Sequence, residues 1–251
     1  MSGCNFLKRP YRLISGALAL AAAITLALGP SAASAVTNLT KPPKTVYAIT
    51  FSSNSALYRM NPRSHTAAFK GRTGVELTDV AFRGKTLYAI SFTNLYRLST
   101  TTGASHDIGL LGVSDANALI AQPRTNILYG AEQNGGFFKV NPRTGHVTII
   151  GMFGNGLGSS GDLVFAHGHL YASVFSSTSP TSLLATVNVR TGAAKVVGDT
   201  GFANVYGLVA GKGALYGATF NGDFLRISLR TGRGRLIWKD RLAVGGTAER
   251  S

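Results

Sequence analysis

Cysteine is all but missing from this chain: Cys4 is the single one in 251 residues. It lies ahead of an apolar run and not at its end, so it is not placed as a lipid-anchored cysteine. It also falls inside a segment with the marks of a removable leader, and the rest of the chain can form no internal disulfide, thiolate metal site or cysteine nucleophile. Stability must then come from burial, for which residues 36–251 are long enough. Acidic residues are scarce too, 10 against 25 Lys and Arg, a formal charge of +15. Such an imbalance bears on solubility and partners and says nothing of the fold. Tryptophan occurs once, at Trp238, which argues against a cofactor docked on repeated tryptophans. The apolar run Leu13 to Leu28 is shorter than the roughly 20 residues a membrane-spanning helix needs.

What is present begins with that leader. Lys8, Arg9 and Arg12 precede the apolar run, and Ala33-Ser34-Ala35 supplies small residues at a cleavage site, the pattern of a secretory signal over residues 1–35. The expectation is a secreted or periplasmic protein whose mature chain, 36–251, is a single domain without a transmembrane segment. Removing the leader leaves 22 basic residues against 10 acidic ones.

The body is a repeat. A Tyr after an apolar residue recurs at Tyr47, Tyr88, Tyr129, Tyr171 and Tyr216, at spacings of 41, 41, 42 and 45 residues. A second segment comes after it each time: LYRMNPRSH from Leu57, LYRLSTTTG from Leu95, FFKVNPRTG from Phe137, LATVNVRTG from Leu184 and FLRISLRTG from Phe224. A period of about 40–45 residues rich in β-branched and aromatic residues indicates propeller blades. In the second copy, Thr78–Phe82, Thr86–Phe92, Leu95–Ser99 and Ala104–Leu111 read as strands A to D. The turn between C and D is the clearest local signal. Asn-Pro-Arg-Thr-Gly puts an Asn where its side chain bonds the turn, a Pro at φ near −65° and a Gly where φ is positive. His65 replaces that Gly in the first copy, a residue type enriched at positive φ. The fold expected is an all-β propeller of five four-stranded blades. Its first blade lacks a strand A; Arg241–Gly246 is the favoured candidate to close it, with Val36–Thr40 as the alternative. Closure hides two open sheet edges, and a monomer is expected.

The Thr-Gly steps at Thr144-Gly145, Thr191-Gly192 and Thr231-Gly232, the last followed by Trp238, carry a resemblance to secreted propellers with quinoprotein-like, NHL-like or YVTN-like repeats, over about residues 45–238. These motifs are structural and bring no activity with them. The resemblance implies that ligands bind at the channel end reached by the D-to-A and B-to-C loops.

Antiparallel order puts the A-to-B and C-to-D turns on one face. There stand Arg63, Arg83, Lys85, Arg124, Arg143, Arg190, Lys212 and Arg230, with His167 and His169. Glu76, Asp115, Asp199 and Asp223 fall on the other face. The basic ring reads as a surface for an anionic polymer or membrane, Arg suiting phosphate and carboxylate; duplication of one solvated turn produces the same pattern. Aromatic residues are not interleaved on these turns, which disfavours a single-strand nucleic-acid platform.

Asp79, Asn117 and Asp162 occupy matching places at the starts of inner strands, with Gly207 as the fourth equivalent. Three such oxygens could hold calcium; each could equally bond the backbone at the start of its own strand. The histidines are spread over different blades, and His167-Gly168-His169 has no acidic neighbour, so none is read as a metal site. The Gly-rich stretch Gly151–Gly161 lacks the ending of a P-loop and reads as a connection over the channel mouth. Phe175–Ser182 is an insertion on that face. No nucleophile elbow, two-His helix motif or paired carboxylate motif occurs. The reading is therefore a binding or interaction module with no resident cofactor, calcium apart, and an anionic or protein partner. The alternative is a metal-dependent, lactonase-like hydrolase at the acidic mouth, with Asp79, Asn117 and Asp162 as ligands.

Overall fold

A computed structural model describes residues 41–239 and 241–250; the leader lies outside them. The described residues form twenty strands and no helix. They are β1 (Val46–Thr50), β2 (Ala56–Asn61), β3 (Thr66–Arg72), β4 (Asp79–Arg83), β5 (Thr86–Ile90), β6 (Asn94–Leu98), β7 (Ser105–Leu110), β8 (Ala116–Ala121), β9 (Leu128–Glu132) and β10 (Gly136–Val140). The second half continues as β11 (Val147–Met152), β12 (Leu157–Ala166), β13 (His169–Ser176), β14 (Leu183–Val187), β15 (Ala194–Asp199), β16 (Val205–Gly211), β17 (Ala214–Thr219), β18 (Asp223–Ile227), β19 (Gly234–Lys239) and β20 (Val244–Ala248).

Five four-stranded antiparallel sheets result: β4 to β7, β8 to β11, β12 to β15 and β16 to β19 each form one, and β20 joins β1 to β3. This is the five-bladed propeller expected from the period. The closing strand does come from the C-terminus, paired antiparallel to β1 with Ala248 opposite Tyr47. It begins at Val244, three residues later than the Arg241 expected, because the Leu242 carbonyl accepts from the Val244 N–H in a turn before the strand starts. The Gly-rich stretch also differs: Leu157–Gly161 belongs to the ten-residue strand β12, where a loop was expected.

The core is five seams between blades. One buried cluster lies at each, and each contains the tyrosine of the preceding blade: Tyr47 with Leu77 and Val80, Tyr88 with Leu119, Tyr129 with Leu163, Tyr171 with Leu208, Tyr216 with Val244. Tyr88, Tyr129, Tyr171 and Tyr216 are 7, 4, 7 and 0% exposed. A sheet buries both faces only when another sheet covers each, so the ring has to close for any blade to be complete.

Four seams share a further device at the rim. Gly71, Gly109, Gly151 and Gly198 on the outer strands lie against the Thr-Gly turn of the next blade, so close that an added Cβ would collide with the backbone of Thr102, Thr144, Thr191 and Thr231. In the fifth seam Trp238 takes the glycine's register position, opposite Phe224, and His65 takes the turn glycine's, at φ 54°. The two rings stack at 5.4 Å and 10°. One exchange of Gly and Gly for Trp and His thus explains both departures of the first and last repeats.

Candidate functional site

The register across the blades sets what surrounds the channel. Counting from each tyrosine's partner on the inner strand, Asp79 is equivalent to Ala118, Asp162, Gly207 and Gly246. Asn117 is therefore not the match of the two aspartates: a register shift between Ala116 and Ala118 pushes it one residue toward the mouth.

Asp79 and Asp162 are both fully buried, and each ties its own blade to the next. The Val80 N–H donates to Asp79 Oδ1 (2.7 Å) and the Leu119 N–H to Oδ2 (2.6 Å). The Leu163 N–H donates to Asp162 Oδ1 (2.6 Å), while Oδ2 accepts from the Leu208 N–H (2.5 Å) and the Thr247 hydroxyl (3.0 Å). Sequence reasoning anticipated only the local bond; the second oxygen of each side chain spans a seam. The two carboxyls also face each other, so that the charge of Asp162 bears on Asp79. Burial, and for Asp79 the charge of Asp162, hold the pair well above the ordinary carboxylate range. A proton between them resolves this, since like charges in a dry site cannot both ionise. All four oxygens are thus already engaged, and neither aspartate lines an open cavity. Of the three residues expected to ligate calcium, the two aspartates come together as an interblade clamp, and Asn117 faces the mouth.

That mouth holds a cavity of about 300 Å³, lined by Asn117, Ser159 and hydroxyl or amide side chains such as Thr181 and Asn204, together with Phe51, Phe92, Phe175 and Tyr206. Among the described residues no charged side chain lines it. Asn117 donates through Nδ2 to the Ser159 carbonyl (2.8 Å). Its Oδ1, and the Ser159 hydroxyl, are buried with no hydrogen-bond partner among the described residues. The aromatic wall was missed from sequence, although a signal for it was there: Phe51, Phe92, Phe175 and Phe220 each stand four residues after a blade tyrosine, and Gln133 takes that place in the third blade. Phe51 meets Phe92, Tyr206 and Phe220 edge-on at 6.3–6.5 Å.

At the other end, Arg63, Lys85, Arg124, Arg143, Arg190, Lys212 and Arg230 are exposed, and Arg83 is half-buried with its Nε on the Asn126 carbonyl (2.8 Å). Among the described residues the one ion pair, Lys239 with Asp223 at 3.0 Å, lies at the opposite end. The channel opens here into a second cavity of about 340 Å³. Phe82, Ala121, Phe165, Ala210 and Glu249 occupy equivalent places around it, one per blade. Burial pushes the Glu249 carboxyl up to about 7, and its Oε2 has no partner.

No family model and no curated protein matches the chain. Solved structures do. A chain of the nidogen/laminin complex is similar over 82% of this chain and 80% of its own, with a TM-score of 0.57 at 13% identity. A structural-genomics protein of unknown function from Bacteroides thetaiotaomicron aligns over 70% of this chain and 54% of its own, with a TM-score of 0.53 at 18% identity; the match thus spans about half of that protein. At these identities the likeness is one of fold.

Proposed function

We propose that this protein is an exported, non-enzymatic propeller that binds an anionic polymer through the face built from its A-to-B and C-to-D turns. The observation that carries the reading is the exposure of cations on these turns: of the eight named above, seven are exposed. An exposed guanidinium without a carboxylate partner keeps its charge available to phosphate, sulfate or carboxylate groups. Several such contacts in a ring suit a polymer better than a small anion, because each adds counterion release. The closed ring, with no free inner edge, supports a monomer. A propeller chain solved in the nidogen/laminin complex supports a binding role by analogy of fold alone.

The hydrolase alternative needs a divalent ion on Asp79, Asn117 and Asp162. Oxygens committed to backbone N–H groups and a shared proton are poorly prepared to ligate one, which is why the binding reading is preferred.

The test is retention on immobilised dextran sulfate and on polyphosphate across a salt series. Affinity should fall steeply with salt, and replacing Arg124, Arg143, Arg190 and Arg230 by Gln should weaken it about tenfold or more and flatten the slope. Equal binding by that variant refutes the proposal.

A further inference from the structure

The mouth opposite the basic face combines three features that fit one class of ligand. Its wall is aromatic: Phe51, Phe92 and Phe175 stand four residues past their blade tyrosines, and Tyr206 completes the set. Its polar groups are hydroxyls and amides, with no charged side chain lining it among the described residues, in a chain whose formal charge is +15. Two of those polar groups are unsatisfied: Asn117, 6% exposed, leaves Oδ1 unpaired, and Ser159, 0% exposed, leaves its hydroxyl unpaired. Buried polar atoms without partners are rare, because each forgoes the hydrogen bond it makes with water in the unfolded chain. Here they stand in a cavity of about 300 Å³, at the small end of the range for ligand sites.

We infer that this mouth is a binding site for a neutral sugar unit, stacked on the aromatic wall and hydrogen-bonded by Asn117 and Ser159. A pyranose has an apolar C–H face, which covers an aromatic ring, and an edge of hydroxyls, each able to donate and accept. An unpaired amide oxygen needs a donor, and a serine hydroxyl takes either role; a sugar edge supplies both. An anion finds no countercharge in the lining, and an ammonium finds no carboxylate there, since Asp79 and Asp162 lie outside it and are already bonded to Leu119, Leu208 and Thr247. Three of the four rings are held before any ligand arrives: Phe51 packs edge-on against Phe92 and Tyr206, and against Phe220 beside them. Little ordering is then lost on binding. The site is independent of the basic face.

The experiment is saturation-transfer NMR and titration of the full-length exported protein with the methyl glycosides of glucose, galactose, mannose and N-acetylglucosamine. Methyl glucuronide and phenyltrimethylammonium serve as charged comparisons. At least one neutral glycoside should saturate the protein with a Kd on the order of 1 mM, and bind about tenfold more tightly than either charged probe. Phe175 is 43% exposed, so Phe175→Ala does not endanger folding; it should weaken the glycoside about tenfold, as should Asn117→Ala, while retention on dextran sulfate is unchanged. If Asn117→Ala fails to fold, Phe175→Ala alone decides. Pull-down on an insoluble neutral polysaccharide separates the sources: capture points to a chain, and glycoside binding without capture points to a free sugar. The inference is overturned if no glycoside binds at up to about 50 mM, if a charged probe binds more tightly, or if Phe175→Ala leaves the affinity unchanged.

Discussion

Replacing Asp162 by Ala tests the interblade clamp most directly. The substitution takes the acceptor from two backbone N–H groups, Leu163 and Leu208, in a site with no solvent exposure. A buried donor left unpaired costs about 1–3 kcal/mol, so two cost about 4 kcal/mol; the Thr247 hydroxyl can turn to another acceptor. Against this, the change removes one of two like-charged carboxyls from a dry site, which offsets part of that loss. The expected net loss is about 3 kcal/mol, a drop in Tm of roughly 6–12 °C for a domain of this size. Asp162→Asn keeps one acceptor and offers Nδ2 to Asp79 in place of the shared proton, so it should lose less. The pH dependence gives a second readout. Because the folded pair holds a proton above the ordinary value of 3.8, the pair's stabilisation is complete below that pH and is lost as pH rises through the folded pKa. Thermal unfolding by circular dichroism across the acid-to-alkaline range should show this decline in the wild type and a shallower one in Asp162→Ala. A Tm within about 2 °C of wild type at neutral pH would refute the clamp. So would a rise in wild-type Tm on adding calcium that Asp162→Ala abolishes, because the pair would then be an ion site.

Other parts of the architecture make separate predictions. Tyr129→Ala empties the wedge between the third and fourth blades, where the ring stacks on Phe137 at 5.5 Å, and should cost roughly 3–5 kcal/mol by chemical denaturation; no loss would contradict the seam assignment. Gly198→Ala drives a Cβ into the Thr231 carbonyl oxygen and should destabilise by about 2–3 kcal/mol through overpacking. Gly201→Ala, where a Cβ meets nothing within 4 Å but φ is +74°, should cost about 1 kcal/mol through backbone conformation alone, and equal losses at the two sites would count against close seam contact. Glu249, with its carboxyl raised to about 7 from 4.5, contributes stability that is complete below pH 4.5 and lost as pH rises through 7. Glu249→Gln should therefore match wild type at pH 5 and exceed it at pH 9 in thermal unfolding; a variant less stable at both would show that the carboxyl has a partner.

Much of this fold was legible in one dimension because a propeller repeats its local rules. The blade tyrosines, the Asn-Pro-Arg-Thr-Gly turns and the five-fold count each follow from residues within a single period, where turn chemistry and alternation act over a few positions. His65 at positive φ was readable for the same reason. The need for a closing strand was readable as well, since one blade was a strand short, and a free edge is unfavourable.

What only the tertiary structure decided are the relations between blades. The second oxygen of Asp79 and of Asp162 bonds residues 40 and 46 positions away, and the two side chains meet each other across the channel; no spacing in the sequence encodes that approach. Asn117 sits at the register shift between Ala116 and Ala118, outside the expected trio and at the mouth, because the unpaired residue of a bulge is fixed by strand pairing and not by spacing along the chain. In the sequence Trp238 is part of a family resemblance and His65 a substitution in a turn; only ring closure stacks one on the other. The sequence determined the blade, through short-range turn chemistry and burial; closure of the ring determined the site, because every group at the channel is assembled from strands that are distant in the chain and neighbours only once five seams have formed.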